Sequence, residues 1–343
     1  MAKGPLPLLD REPAEGVRLV ALDLLEEARA ASSRLKDPGD AEALHDFRVA
    51  VRRLRSWLRS FEPQVEDTLR KKWRRALRDL ASATGAARDA EVMRALVLAQ
   101  REALSPRHRR AADWFLSREA PGDEAGADPR ARAATDFERL APHLEEAFSR
   151  YERAVGAGPR GRFGGLAAEV VRAQEGALLT ALSEVASADD AEKAHRARIE
   201  GKRLRYLLEP LRGQVPGAEE AIRSMKDLQD LLGDLHDVHV LAARMADAAA
   251  EAAAEGARAV HHALHAAGED HARSVARRGM RPGLSALDRR IRERRDALWA
   301  ELSRGWLAEA GRITSLRGEV DRVVEELLRG PPPGEARPRR HTP

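Results

Sequence analysis

Histidine and arginine recur in one order, at one spacing, twice in this chain. The segment LHDFRVAVRRLRSWLRSF at 44–61 places His45, Arg48, Arg52, Arg55 and Arg59 at steps of 3, 4, 3 and 4. The segment AHRARIEGKRLRYLLEPL at 194–211 repeats the row 150 residues later as His195, Arg198, Lys202 and Arg205, with Tyr206 beside it and Glu209 where the first copy has Arg59. A core needs only apolar periodicity, so packing does not explain the same basic side chains twice. A repeated cationic row points to repeated contact with an anion. Arginine's forked donors match phosphate oxygens. Histidine, with a reference pKa near 6.5, adds a donor whose charge is tunable.

Steps of 3 and 4 put each row on one face of a helix. Phe47, Val51, Leu54, Leu58 and Phe61 follow the same rhythm, on a face whose centre lies about 110° away at 100° per residue. The basic row therefore borders the apolar row instead of opposing it, and should face a groove or the space between two bundles rather than open solvent. Arg53 and Arg203 recur but fall off the row, which assigns them a structural or outer role. The following helix adds Lys71, Arg74 and Arg78 in register, and its counterpart adds Arg223 and Lys226. Rows from two halves facing each other would form a dense cationic channel. Left unpaired and buried it would repel itself, so it calls for solvent, acidic partners or an anionic ligand.

The elements that must carry these rows are helices. Ala, Leu, Arg and Glu dominate, only 4% of the 343 residues are aromatic, and no period-2 run stands out as a strand. The chain reads as all-α. The net charge is only +4, but residues 44–78 hold 11 Lys/Arg against 4 Asp/Glu, and residues 193–226 hold 9 against 4. Charge concentrated in the repeated blocks predicts a polyanionic partner better than the total does. The absence of cysteine excludes disulfides, a thiolate metal site and a Cys nucleophile. There is no apolar leader and no run of membrane-spanning length, so a cytoplasmic protein is expected.

Turn and capping signals divide the chain. Residues 1–13 read as an irregular lead-in, 14–155 as a first helical bundle, 156–165 (GAGPRGRFGG) as a linker, 166–329 as a second bundle and 330–343 as a disordered Pro/Arg-rich tail. Helices are expected over about 14–36, 40–61, 65–84, 87–104 and 130–155, with Gly85 as punctuation and Ser105-Pro106 opening another. In the second half they are expected over about 166–186, 190–211, 217–232 and 235–254, then Ala-rich helix to 278 and final helices to 329. A second repeat supports duplication. LRDLASATGAARDAEV at 77–92 aligns with MKDLQDLLGDLHDVHV at 225–240, sharing Asp79/Asp227, Leu80/Leu228, Gly85/Gly233, Asp89/Asp237 and Val92/Val240. The expectation is two homologous antiparallel bundles, each four-helix-bundle-like, with pseudo-twofold symmetry.

These segments resemble the CHAD family, the conserved histidine α-helical domain, whose pattern is an HxxRxxxRRLR-like helix occurring twice, each followed by an LxxLLGxxxD-like segment. The first copy reads His45, Arg48, Arg52, Arg53, Leu54, Arg55; the second reads His195, Arg198, Lys202, Arg203, Leu204, Arg205. LQDLLGDLHD at 228–237 fits the downstream segment well, and LASATGAARD at 80–89 fits it loosely. The resemblance spans about 14–329. It implies two helical bundles around a basic cavity or pore that binds inorganic polyphosphate without catalysis, and it allows recruitment to polyphosphate or storage granules. It implies contacts from His45, Arg48, Arg52, Arg55, His195, Arg198, Lys202 and Arg205, with Arg59, Arg74, Arg78, Tyr206, Arg223 and Lys226 as outer candidates. The triphosphatase domain often fused to such domains, with its strands and ExExK-type motif, is not recognisable in this sequence, so a stand-alone form is expected, with no cofactor or metal.

Two rival readings remain open at this level. The His-Asp dipeptides at 45–46 and 236–237 resemble those of HD-type metal phosphohydrolases, but Arg196 replaces Asp46 in the second copy and the surrounding arginines oppose a cation. A basic groove could also hold nucleic acid non-specifically, although the rows lack the interleaved aromatics of single-strand platforms. His261, His262, His265 and His271 lie close in sequence with no accompanying acidic or thiol ligand at a recognisable spacing, and read as a polar helix face. Asp79, Asp89, Asp227 and Asp237 read as helix caps or partners of nearby Arg.

Overall fold

A computed structural model describes residues 7–37, 39–40, 42–83, 86–119, 129–150, 161–277 and 279–329, with backbone only at 86–90, 129 and 277. The described residues form helices and no strands. In the first half these are α1 (Pro13–Arg34), α2 (Ala43–Ser60), the short α3 (Glu62–Val65), α4 (Lys71–Ala83), α5 (Ala86–Glu102), α6 (Pro106–Arg118) and α7 (Pro129–Ser149). The second half has α8 (Phe163–Ser183), α9 (Ala191–Leu208), α10 (Ala218–Arg277), α11 (Arg281–Glu301) and α12 (Arg312–Leu328), with a π turn over Leu302–Leu307 before α12. Proline marks several starts, because its missing N–H costs nothing in a first turn. Pro13 opens α1, where the Glu12 carboxylate accepts from the Glu15 N–H at 3.2 Å, and Pro106 opens α6 with Ser105 at the N-cap.

Helices α1, α2, α4 and α7 close one ring, each packed on the next, and α8, α9, α10 and α12 close another in the same chain order. Helix α1 also packs on α8, and α2 on α9. Helices α5 and α6 lean on α10 and α11. The apolar row of α2 is buried throughout, with Phe47, Val51, Leu54, Leu58 and Phe61 at most 4% exposed.

The two halves share a core. Phe163, in the first turn of α8, sits in the aromatic group of Trp57 and Phe61, with ring centroids 6.2 and 6.3 Å away, and Trp57 donates its indole N–H to the Val17 carbonyl at 3.0 Å. The approach depends on Gly16, where an added Cβ would fall 2.4 Å from the Phe163 ring. Arg162 secures the entry, paired with Asp10 at 2.6 Å and donating to the Leu327 carbonyl at 3.2 Å. Phe163–Gly165 therefore belong to α8 and not to the expected linker, because the Phe163 side chain has a buried place on α1. The rest of that linker, Gly85 and the expected tail fall wholly or largely outside the described residues.

A second departure is α10. The expected break near Gly233 is absent, and the helix continues until Gly268, whose φ of 80° interrupts it. Glycine ends a helix only when the chain needs positive φ. Gly233 stays helical, at a position where an added Cβ would come within 3.9 Å of Arg198 Nε. Gly201 is the matching close approach in α9: Gln229 of α10 donates to its carbonyl at 2.9 Å, and an added Cβ would lie 3.4 Å from Met225. No described helix is long and apolar enough to cross a membrane.

Because Phe163 joins both halves, Phe163→Ala should destabilise the fold by about 3–5 kcal/mol, measured by urea unfolding. A change below 1 kcal/mol would show that the shared aromatic group does not hold the halves together.

Candidate functional site

Where α2 meets α9, their basic rows converge on two adjoining cavities of about 330 and 400 Å³. Arg48 and Arg52 from α2, and Arg198 and Lys202 from α9, line both cavities. His195 joins them in the smaller one, and His45, Arg205 and Tyr206 in the larger. Val92 of α5 and Asp237 of α10 also line both, with His236 in the smaller cavity and Gln229, Asp230, Gly233 and Asp234 in the larger. The rows meet because burying the apolar face of each helix forces the bordering basic face into the space between them.

The other candidate residues lie elsewhere. Arg55 and Arg59 are exposed, and Arg55 is close enough to Arg59, Arg78, Arg203 and Arg52 that their charges, after desolvation, lower its pKa. Arg78 pairs with Asp79 at 2.9 Å, Arg74 with Glu62, and Arg223 with Glu220 at 3.3 Å, while Lys226 is exposed. None of these lines the two cavities. Asp79 and Asp227 act as partners of Arg, the latter with Arg312. The side chain of Asp89 lies outside the described residues. Arg53, off the row, reaches across to the second half: its Nε lies 2.6 Å from Glu209 Oε2, close enough for an ion pair though not directed as a hydrogen bond, with Arg205 Nη1 3.6 Å from Oε1 of the same carboxylate.

The electrostatics reveal what this convergence costs. Burial is the largest cause lowering the Lys202 pKa to about 7; Arg198, Arg52 and Arg205 press it further, and only Asp237 opposes them. The same forces act on the histidines. Burial, then Arg198, then His195 and Lys202, hold His236 near 4. Burial and Arg198 lower His195, with Glu192 opposing them. The Nδ1 atoms of His195 and His236 are 3.2 Å apart, so one supplies the hydrogen and the other the lone pair. Two imidazolium rings would set N–H against N–H. His195 is thus a hydrogen-bonded ring whose protonation is disfavoured in the unliganded fold. The cause is burial beside Arg198.

The row pattern did not identify His236, Asp237 or Gln229, which enter from α10. Their signal was present in the LxxLLGxxxD-like segment, but that pattern does not show that its helix forms the third wall. His239 of the same segment donates Nε2–H to the Ala188 carbonyl at 2.7 Å. The His261 and His265 rings contact each other edge to face, with centroids 4.4 Å apart on the exposed side of α10. Among the described residues no group of three or more His, Asp or Glu is placed to hold a metal ion.

Lys202 yields a stability test. The folded pKa of about 7 lies below the ordinary value of 10.5, so the unfolded chain binds the extra proton and unliganded stability rises with pH across that window. Lys202→Met should stabilise the ligand-free protein by at least about 1 kcal/mol at pH 7 and below, with the gain vanishing toward pH 10.5. Chemical denaturation at several pH values measures it, and destabilisation at every pH would contradict the depressed pKa.

Comparison with known proteins agrees with this architecture. The family model described as "CHAD domain" matches residues 20–246. The crystal structure of the CHAD domain from the plant Ricinus communis superposes with a TM-score of 0.54 at 20% identity, covering 93% of this chain and 95% of that one, a likeness of fold alone. No curated protein matches the chain in sequence. The family match covers well over half of the chain, including both basic helices and the α10 wall: the chain belongs to the CHAD domain family.

Proposed function

We propose that the protein binds inorganic polyphosphate, without catalysis, between α2 and α9. The observation that carries this reading is the convergence of Arg48, Arg52, Arg198 and Lys202 on shared cavities, where burial first, and then the charges of Arg198, Arg52 and Arg205, lower the lysine pKa to about 7. Such a site gains most from a ligand dense in anionic oxygens, because each phosphate relieves repulsion as well as accepting hydrogen bonds. The family is linked to polyphosphate, and the chemistry of these side chains fits that ligand. The equal ring order of the halves and the α1–α8 and α2–α9 contacts support a duplicated unit related by an approximate twofold. A cytoplasmic location and recruitment to polyphosphate granules are part of the proposal.

Nucleic acid fits less well. Among the described residues lining the larger cavity Tyr206 is the one Phe, Tyr or Trp; it is buried, and the Arg205 guanidinium lies 5.1 Å from its centroid, which leaves it poorly placed to stack a base. Metal-dependent hydrolysis fits less well again, because His236 and Asp237 face Arg198 and Lys202 across the cavity, and these cations would oppose a metal ion.

Reversing Arg48→Glu and Arg198→Glu together should weaken polyphosphate binding at least a hundredfold while the helical circular dichroism is unchanged. Unaltered affinity would remove this site, and stronger binding of single- or double-stranded DNA than of polyphosphate at the same salt would favour the nucleic-acid reading. A bound anion raises the Lys202 pKa from about 7, so affinity should fall as pH rises above 7 and level off below it on the lysine's account. Lys202→Met should flatten the profile between pH 7 and 9 in isothermal titration calorimetry.

A further inference from the structure

The site is not the same at its two ends. The 150-residue correspondence pairs Arg59 with Glu209, so the position after the last shared arginine is cationic in α2 and anionic beyond α9. Each has a definite setting. Glu209 is 11% exposed and lies between Arg53 of one half and Arg205 of the other, at 2.6 and 3.6 Å. It lines a third cavity of about 350 Å³ with Arg53, Tyr206, Arg212 and the α1 carboxylates Asp23 and Glu27. Tyr206 lines this cavity and the larger basic cavity alike, so Glu209 stands where a path leading past Arg205 would continue. At the other end Arg55, Arg59 and Arg78 crowd one another, and the corresponding arginine, Arg203, is paired within its own helix with Glu200 at 2.5 Å.

We infer that Glu209 is a specificity-determining residue that closes one end of the anion site, so that a long polyphosphate extends only past the Arg55, Arg59 and Arg78 end. The Glu209 carboxylate takes the place of an anion between Arg53 and Arg205, and a phosphate advancing past Arg205 meets its negative charge and, beyond it, those of Asp23 and Glu27. A short chain can sit on Arg48, Arg52, Arg198 and Lys202, which line both cavities, without reaching that point. A longer chain has one open exit, over Arg59. This inference rests on the polyanion reading above and adds to it a direction and a dependence on length.

The test is a length series, tripolyphosphate against chains of about a hundred phosphates, at fixed ionic strength by isothermal titration calorimetry. Glu209→Gln keeps the shape and removes the charge. It should tighten long-chain binding threefold or more and leave tripolyphosphate within twofold. An equal gain for both lengths means that Glu209 acts only through the general field, and no gain means that the end is not closed by its charge; either result overturns the inference. Arg59→Glu changes an exposed residue at the open end, and remains informative if Glu209→Gln fails to fold. It should weaken long-chain binding at least threefold with tripolyphosphate unchanged, and unaltered long-chain affinity overturns the inference. If the wild type binds neither length, the polyphosphate reading fails and this inference falls with it. If the wild type binds and the variants show no split by length, this inference alone fails.

Discussion

Everything distinctive about this fold depends on the packing of α2 against α9. Each helix carries an apolar row beside a basic row, and burying the first brings the second face to face with its counterpart. Leu54 and Leu204, at equivalent places, are both fully buried, and side chains of this size contribute about 1.5–3 kcal/mol each when removed from water. The opposing term is concentrated at Lys202, whose pKa falls from 10.5 to about 7, a penalty of a few kcal/mol at neutral pH. Several buried leucines and the aromatic group around Phe163 outweigh one strained ammonium. The fold therefore holds a crowded cationic site in place, with the cost concentrated at Lys202.

The neighbouring groups limit what the crowding does to the fold. Asp237 is the one carboxylate that raises the Lys202 pKa. Asp234, which also lines the larger cavity, is paired with Arg294 at 2.8 Å. The His195–His236 pair brings ring nitrogens to the wall, and burial beside Arg198 disfavours charge on either ring. Neutral imidazoles can still donate hydrogen bonds to phosphate oxygens, and an arriving anion favours their protonation. The ion pair of Arg53 with Glu209 then ties the two halves together at the end where their charges are of opposite sign.

Much of this was legible before any coordinates. A 3.6-residue period is strong in long amphipathic segments, so α2 and α9 fall within a few residues of their expected bounds. The three-and-four spacing placed His45, Arg48, Arg52, His195, Arg198, Lys202 and Arg205 on matching faces, and these line the cavities. Arg53 and Arg203, off the row, each meet a carboxylate, Glu209 and Glu200. Less legible was the course of α10. The expected break between 232 and 235 does not occur, and Gly233 lies beside Arg198 within a continuous helix. The entry of His236 and Asp237 into the site, and the packing of α5 and α6 on α10 and α11, depend on contacts between segments more than a hundred residues apart.

The sequence by itself determined that the chain is helical, that its basic rows are duplicated, and which side chains share a face, because these follow from composition and from the repeat of a single helix. Tertiary structure alone decided which faces meet, that α10 supplies the third wall, that protonation of His195, His236 and Lys202 is disfavoured, and that Glu209 spans two arginines from different halves. The reason is physical. Periodicity acts within one helix, whereas burial and the summed field of neighbouring charges exist only when separate helices are packed, and these set the protonation of the site and the difference between its two ends.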